Sequence, residues 1–352
     1  MQKILYLGHF HENSSWGIAA EGYVKSLSLK YDVVCRSVKI RGNGQPSDYI
    51  NEKEKISLDG VDTVIQHVLP EHMSYNSKYR CIGIAILESD STVYNGWKQR
   101  YDLMDEIWCP TEYHSNKYRW KYVPHAFDIN RYNQKYESIL SNVNGKYLFY
   151  TVAEMNTRKR LTALLRAFHT AFNINDNVGF VIKTHQSGVS ALQTMKSLED
   201  MNDKVKNELN LYGKYKRFVD PLIIADKISE DNLMSIHQDC HTFLLSSYGE
   251  GFCMPCFDAL GFGNYIIAND IPGVQDYLKY ANASLVGNQT TPCFGTQQYL
   301  LDLHSGRENW WEINMTELID QMRYAYENKL GKTEVNKDLA KQFSYESVSK
   351  LI

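Results

Sequence analysis

Residues 243–276, FLLSSYGEGFCMPCFDALGFGNYIIANDIPGVQD, constrain the fold of this chain more than any other stretch. An apolar run at 243–245 reads as a buried strand. A tight polar loop follows, Tyr248, Gly249, Glu250 and Gly251. Pro255 suits a first helical position, where its missing N–H costs nothing. The predicted helix ends near Gly261 or Gly263, either of which can supply a left-handed cap. Residues 265–268 read as a second strand, and Pro272-Gly273 as a turn after it. Such a strand–loop–helix aims free backbone N–H groups and the positive end of a helix at one point, which suits phosphate or sugar oxygens. Two carboxylates flank that point. Asp258 lies about one turn inside the helix, where an acid also complements the macrodipole. Glu250, between two glycines, has no such local reason to be there.

The segment Glu250-Gly251-Phe252-Cys253-Met254-Pro255-Cys256-Phe257-Asp258 resembles the donor-sugar signature E-G-F-G-x-P-x-x-E of the retaining glycosyltransferases of family 4 (group 1). It departs from that pattern twice. Cys253 stands for a glycine, and Asp258 for the second glutamate, one methylene shorter. The resemblance implies an α/β chain of the GT-B fold, two Rossmann-like domains with parallel sheets facing across a cleft. It also implies donor contacts from Glu250, Gly251, Phe252 and Cys253, and ribose contact from Asp258.

A second motif is AEMNTRKRLTALLRAF at 153–168, after a predicted strand at 147–152. Leu161, Leu164, Leu165, Phe168 and Phe172 fall at helical spacing and predict one buried face. Arg158, Lys159 and Arg160 crowd the helix start, where the macrodipole disfavours cations. An anion there repays the cost, and a diphosphate would do so. The alternative is a solvated basic patch. Family members carry R-K-G here, so Arg158 and Lys159 match and Arg160 replaces the glycine. Beyond this come a strand at 178–183, a helical region near 190–211, and a strand and loop at 218–228. Ser229-Glu230-Asp231 read as a capped helix start. The resemblance implies that the loop at Ile228 touches the nucleotide base. Residues 309–312 precede a helix at about 315–328, and the chain ends with a helix after Phe343-Ser344-Tyr345 that the family crosses back to its N-terminal domain.

The first half predicts strands at 3–8, 32–38, 61–66, 81–87 and 105–111, with a loop at 42–47. Gly17 opens an amphipathic helix carrying Ile18, Tyr23, Val24 and Leu27. G-x-G-x-x-G is absent, which argues against a dinucleotide-dependent oxidoreductase. The resemblance implies that Gly17 belongs to a loop closing over the donor diphosphate; a plain turn is the alternative. His67 ends a predicted strand, where ligands of open α/β sheets gather. The family often places a histidine there near the donor hexose, with a structural role and the neighbouring His72 as rivals. Glu88, Trp97 and Val123-Pro124-His125-Ala126-Phe127-Asp128 follow the layout of one subset of the family. Glu88 is there an acceptor-side carboxylate, or else a helix cap.

The resemblance divides the chain into an N-terminal domain over 1–145, a donor domain over 146–335 and a returning helix over 336–352. Residues 129–145 read as the linker. No D-x-D occurs, so neither a metal nor a cofactor is expected. His9 and His11 lack a partner cluster, and Cys253-x-x-Cys256 lacks a second pair. Seven scattered cysteines suggest free thiols in a reducing compartment. Without a signal peptide or an apolar run of ~18 residues, a cytoplasmic protein is expected. The expected partners are a UDP- or GDP-sugar and a hydroxyl acceptor: a glycan, a lipid-linked sugar or a modified nucleic acid. Two other readings stand beside this one. One is a phage-type DNA glycosyltransferase acting on 5-hydroxymethylcytosine, with Arg119, Lys121 and Arg131 on phosphates, although a net charge of −3 does not favour it. The other is a non-catalytic nucleotide-sugar binder.

Overall fold

A computed structural model describes residues 2–12, 14–39, 44–92, 96–143, 145–212, 217–294 and 304–352. Gly42 and Asn43 of the predicted 42–47 loop lie outside them. The chain forms two compact units. The first takes the described residues of Met1–Ile129, Asp302–Glu308 and Lys341–Ile352, and the second those of Asn130–Leu301 and Asn309–Ala340.

The first unit runs β1 (Lys3–Gly8), α1 (Ser15–Leu27), β2 (Asp32–Ser37), α2 (Asp48–Lys55), β3 (Val61–His67), β4 (Arg80–Ile84), α3 (Trp97–Tyr101), β5 (Glu106–Cys109), α4 (Glu112–Tyr118) and β6 (Lys121–Tyr122). Its sheet is parallel, in the order β2-β1-β3-β4-β5-β6. The apolar side of α1 packs Tyr23, Val24 and Leu27 against Ile4, Tyr6 and Ile65 of the sheet, all buried. Gly22 allows close approach to the chain at Ala126, where a Cβ would stand 2.2 Å from the carbonyl oxygen. The terminal helix, Tyr345–Leu351, belongs to this unit and packs beside α1, with Val348 in the same core.

The second unit continues with β7 (Tyr147–Glu154), α5 (Leu161–Ala171), β8 (Val178–His185), α6 (Ala191–Leu209), β9 (Leu222–Ile224), α7 (Glu230–Asp239), β10 (Thr242–Leu245), α8 (Met254–Gly261), β11 (Tyr265–Asn269), α9 (Pro272–Leu278), β12 (Ala283–Val286), β13 (Asn288–Pro292), β14 (Asn309–Ile313), α10 (Met315–Glu327) and α11 (Glu334–Ala340). Its sheet is also parallel, in the order β12-β11-β10-β7-β8-β9. The five apolar residues predicted for one face of α5 are buried against Phe149 and Phe180. The described residues of 130–145, most of the stretch 129–145 read as a linker, also belong here: the Tyr132 ring lies 5.5 Å from Phe262, edge to face.

Several features differ from expectation. Ile18, read on the apolar side of α1, is exposed in its first turn. Pro272-Gly273 opens α9 instead of making a turn. Proline is well placed in a first helical turn, because that N–H has no partner within the helix. Residues 309–312 form β14, paired antiparallel with β13, although Asn-Trp-Trp-Glu carries no alternation to announce a strand. α2 was not expected either; its sequence, DYINEKEK, buries only Ile50 and so lacks an apolar stripe. The cap of α8 did follow the sequence. Gly263 is left-handed at φ +82°, with Gly263 N bonding Leu260 O and Asn264 N bonding Ala259 O, the paired bonds of a Schellman motif.

Candidate active site

β7 and β10 are the central neighbours of the second sheet, and strand order reverses between them. In open parallel sheets ligands collect outside the strand C-termini at such a reversal. The loop after β7 carries Arg158, Lys159 and Arg160, and the loop after β10 carries 246–253. Tyr248 N donates to Arg158 O (2.8 Å), and Ser246 Oγ to the carbonyls of Lys159 (3.2 Å) and Arg160 (3.0 Å), so the two loops are laced through their backbones.

The lacing puts an acid between two bases. Glu250 is 5% exposed. Lys159 Nζ donates to its Oε1 (2.6 Å) and Oε2 (2.8 Å), and Arg158 Nη1 to Oε2 (3.0 Å) and to Gly249 O (2.6 Å). Burial alone would raise the Glu250 pKa, but Lys159 and Arg158 overcome it and hold the carboxyl at about 2. The anion required by cations at a helix start is therefore present within the chain. Arg158 and Lys159 are only 13% and 16% exposed, which excludes the solvated patch. Arg160 turns away at φ 52° and pairs with Glu312 (3.0 Å).

The loop 249–253 is clasped by α9. Cys253 N donates to Gly273 O (3.3 Å), and Tyr277 Oη to Cys253 O (3.1 Å). Gly251, Phe252 and Cys253 are buried, with the Phe252 ring 5.2 Å from Tyr277. Asp258 is buried on another side of α8. Its Oδ1 accepts from Tyr132 Oη (2.9 Å), and Arg131 Nη2 lies 3.5 Å away. Burial raises its pKa, against the pull of Arg131 and Tyr132. Sequence reasoning missed Tyr132, because no pattern links residue 132 to residue 258. Ile228 is half-buried in the loop between β9 and α7, and Ser229 caps α7 as predicted.

The other candidates belong to the first unit. Its strand order reverses between β1 and β3, and His67 ends β3 opposite Gly8. His67 is buried; its Nδ1 lies 2.9 Å from Tyr6 Oη, and its ring meets Trp16, Tyr23 and His125. Burial, then His125 and His9, push its pKa well below the ordinary value. Gly17 lies in the first turn of α1, where a Cβ would stand 2.3 Å from Glu12 O, so only glycine fits. His72 is exposed in a short 3₁₀ turn, and Glu88 is half-buried after β4. His9 has a structural place: Nδ1 lies 2.6 Å from Val38 O, and Nε2 accepts from Leu69 N (3.3 Å). Of the cations considered for nucleic-acid phosphates, Arg131 pairs with Glu230 (2.6 Å) and Lys121 lies 3.9 Å from Glu106. The described residues hold no cluster of three or more His, Cys, Asp or Glu placed to bind a metal, and no helix among them is long and apolar enough to cross a membrane.

Residues 133–292, which include both laced loops, match the family Glycosyl transferases group 1. The chain carries a group 1 glycosyltransferase domain. That domain makes glycosyl transfer its chemistry, and solved structures agree on the fold. Anabaena HepE, in complex with UDP-glucose, superposes with a TM-score of 0.66 at 9% identity, covering 99% of this chain and 98% of that one. A Rickettsia africae glycosyltransferase gives 0.60 at 11%, covering 99% and 96%. An E. coli trehalose-6-phosphate structure bound with UDP-2-fluoro glucose gives 0.59 at 10%, covering 99% and 97%. The fold is GT-B. No curated protein matches the sequence.

Proposed function

We propose that this glycosyltransferase moves a sugar from a nucleotide-sugar donor, a UDP-sugar before a GDP-sugar, to a hydroxyl acceptor, with retention at the anomeric carbon and without a metal ion. The observation that carries the reading is the Glu250 carboxylate held between Arg158 and Lys159 at the reversal point of the donor-side sheet. Similar folds hold UDP-glucose or UDP-2-fluoro glucose, which favours uridine. In this reading Arg158 and Lys159 take up the charge of the departing nucleoside diphosphate, as preorganised cations do in electrostatic catalysis. Glu250 and the backbone of 251–253 hold sugar hydroxyls. Asp258, already bonded to Tyr132, is assigned to the ribose, the Ile228 loop to the base, and His67 to a sugar hydroxyl. The missing D-x-D supports metal independence, since that motif commonly bridges a metal to the diphosphate.

A thermal-shift screen of nucleotide sugars is the direct test, because a ligand that binds only the folded state raises stability by mass action. A UDP-sugar should raise the melting temperature and be slowly hydrolysed without acceptor. A chain that no nucleotide sugar stabilises would sink the reading. Turnover should persist in excess chelator; loss restored by manganese would refute the metal-free assignment. The anomeric configuration of the product, read by NMR, checks retention.

A further inference from the structure

Arg160 stands where the family carries glycine, and it keeps a glycine-like backbone, φ 52° and ψ 44°. A non-glycine residue there is strained. Its side chain must contribute something in return. The guanidinium lies 4.4 Å from the centre of the Tyr248 ring and pairs with Glu312 of β14. Tyr248 also stacks on Trp310 of β14, at 5.3 Å and 8° from parallel. The backbone follows the same path. Tyr248 N donates to Arg158 O (2.8 Å), and Tyr248 O accepts from Trp311 N (2.9 Å). Asn269 Nδ2 ties Ser247 O (2.8 Å) to Trp311 O (2.7 Å). Arg160 Nη1 is buried without a hydrogen-bond partner, an arrangement that costs stability.

We propose that Arg160, braced by Tyr248, Trp310 and Glu312, is a positioning residue that fixes the backbone presenting Arg158 and Lys159 to the donor diphosphate. Arg160 does not touch the reacting atoms. It sets the direction in which the two preceding cations leave the chain, and β14, paired antiparallel with β13, supplies the wall it leans on. The proposal rests on the nucleotide-sugar reading for its kinetic consequence only; the effect on Lys159 is independent of any substrate.

The decisive variant is Arg160→Gly, which restores the residue that suits the left-handed backbone. It should still fold with a melting temperature near that of wild type, the relief of backbone strain offsetting the lost contacts to Tyr248 and Glu312 and the freer unfolded chain. It should nonetheless lower kcat at least ~10-fold with little change in KM, because a misplaced counter-charge weakens the transition state more than the ground state. Arg160→Lys should not rescue, since an ammonium lacks the planar face that stacks on Tyr248. Acetylation of Lys159 by acetic anhydride, followed by mass spectrometry, gives the donor-free readout: Arg160→Gly should speed it several-fold relative to surface lysines. Glu312→Gln, which keeps the stack and removes the ion pair, should move both readouts part-way, and it decides the matter should Arg160→Gly not fold. Unchanged Lys159 reactivity in the folded variants overturns the proposal, and so does unchanged kcat. Faster acetylation in a chain whose wild type turns over no nucleotide sugar would refute the functional reading and leave the positioning of Lys159 standing.

Discussion

Arg158 and Lys159 meet Glu250 in a place where each would be costly alone. A carboxylate that is 5% exposed needs compensation, and it has three charge-assisted hydrogen bonds. Two cations at the start of α5 oppose the helix dipole, and they have the carboxylate. The arrangement is balanced without substrate. A donor diphosphate brings more negative charge than one carboxylate, so the cations are already oriented for a stronger anion. Arg158→Ala and Lys159→Ala should each slow turnover by at least ~100-fold, as loss of a preorganised charge-stabilising donor does. Each also leaves Glu250 less well paired, so rates should be compared below the melting temperature of each variant. Near-normal kcat in either folded variant would remove that residue from the mechanism.

The elements explain why two loops make one site although Arg158 and Glu250 lie 92 residues apart in the chain. β7 and β10 are adjacent and parallel, so their C-terminal loops leave the same edge, and α9 holds the second loop from outside. Gly273 is the contact point. A Cβ there would stand 2.2 Å from Glu250 O and 2.7 Å from Glu250 Cβ, and backbone cannot yield as a flexible side chain would. Gly273→Ala should therefore push the Glu250 loop away, costing about 1–3 kcal/mol by the usual scale of overpacking and lowering kcat in step. A melting temperature and kcat both within error of wild type would show that the clasp has no such role. Parts of this were legible in the sequence, because they are local conflicts. Three cations at a helix start and a glutamate between glycines each ask for a partner. That they answer one another was not legible, since strand order decides it and no residue near 158 names residue 250. The same holds for Tyr132 and Asp258. β14 escaped because its residues are held by stacking and loop bonds rather than by an alternating face.

At the scale of the whole molecule, the two sheets share one logic: a parallel sheet with its candidate residues at the point where strand order reverses. In the first unit that point is built from buried neutral histidines. Burial pushes the pKa of His125 down to about 3 and holds that of His67 well below the ordinary value. His125 is fixed by Tyr23, whose Oη lies 3.1 Å from Nδ1 and donates to Val123 O (2.7 Å). The consequence for stability has a definite sign. In the unfolded chain these rings take up protons near pH 6.5, whereas in the fold they stay neutral to much lower pH. The unfolded state therefore binds more protons in between, and stability rises with pH through that window. It is complete above about pH 6.5 and is lost as the pH falls toward the folded-state values. Each such ring contributes a slope of ~1.4 kcal/mol per pH unit. Replacing His125 by Gln, which keeps a polar group for Tyr23 but does not titrate, should remove one ring's share. Between pH 6.5 and pH 5 the variant should lose about 2 kcal/mol less than wild type, measured by urea unfolding at several pH values. The variant starts less stable at pH 7 for want of a fitted ring, so the difference in slope, and not the offset, carries the test. Parallel pH profiles for the two proteins would mean that His125 takes up its proton in the folded chain at the same pH as in the unfolded one, and that its place beside His67 is not the dry one its burial indicates.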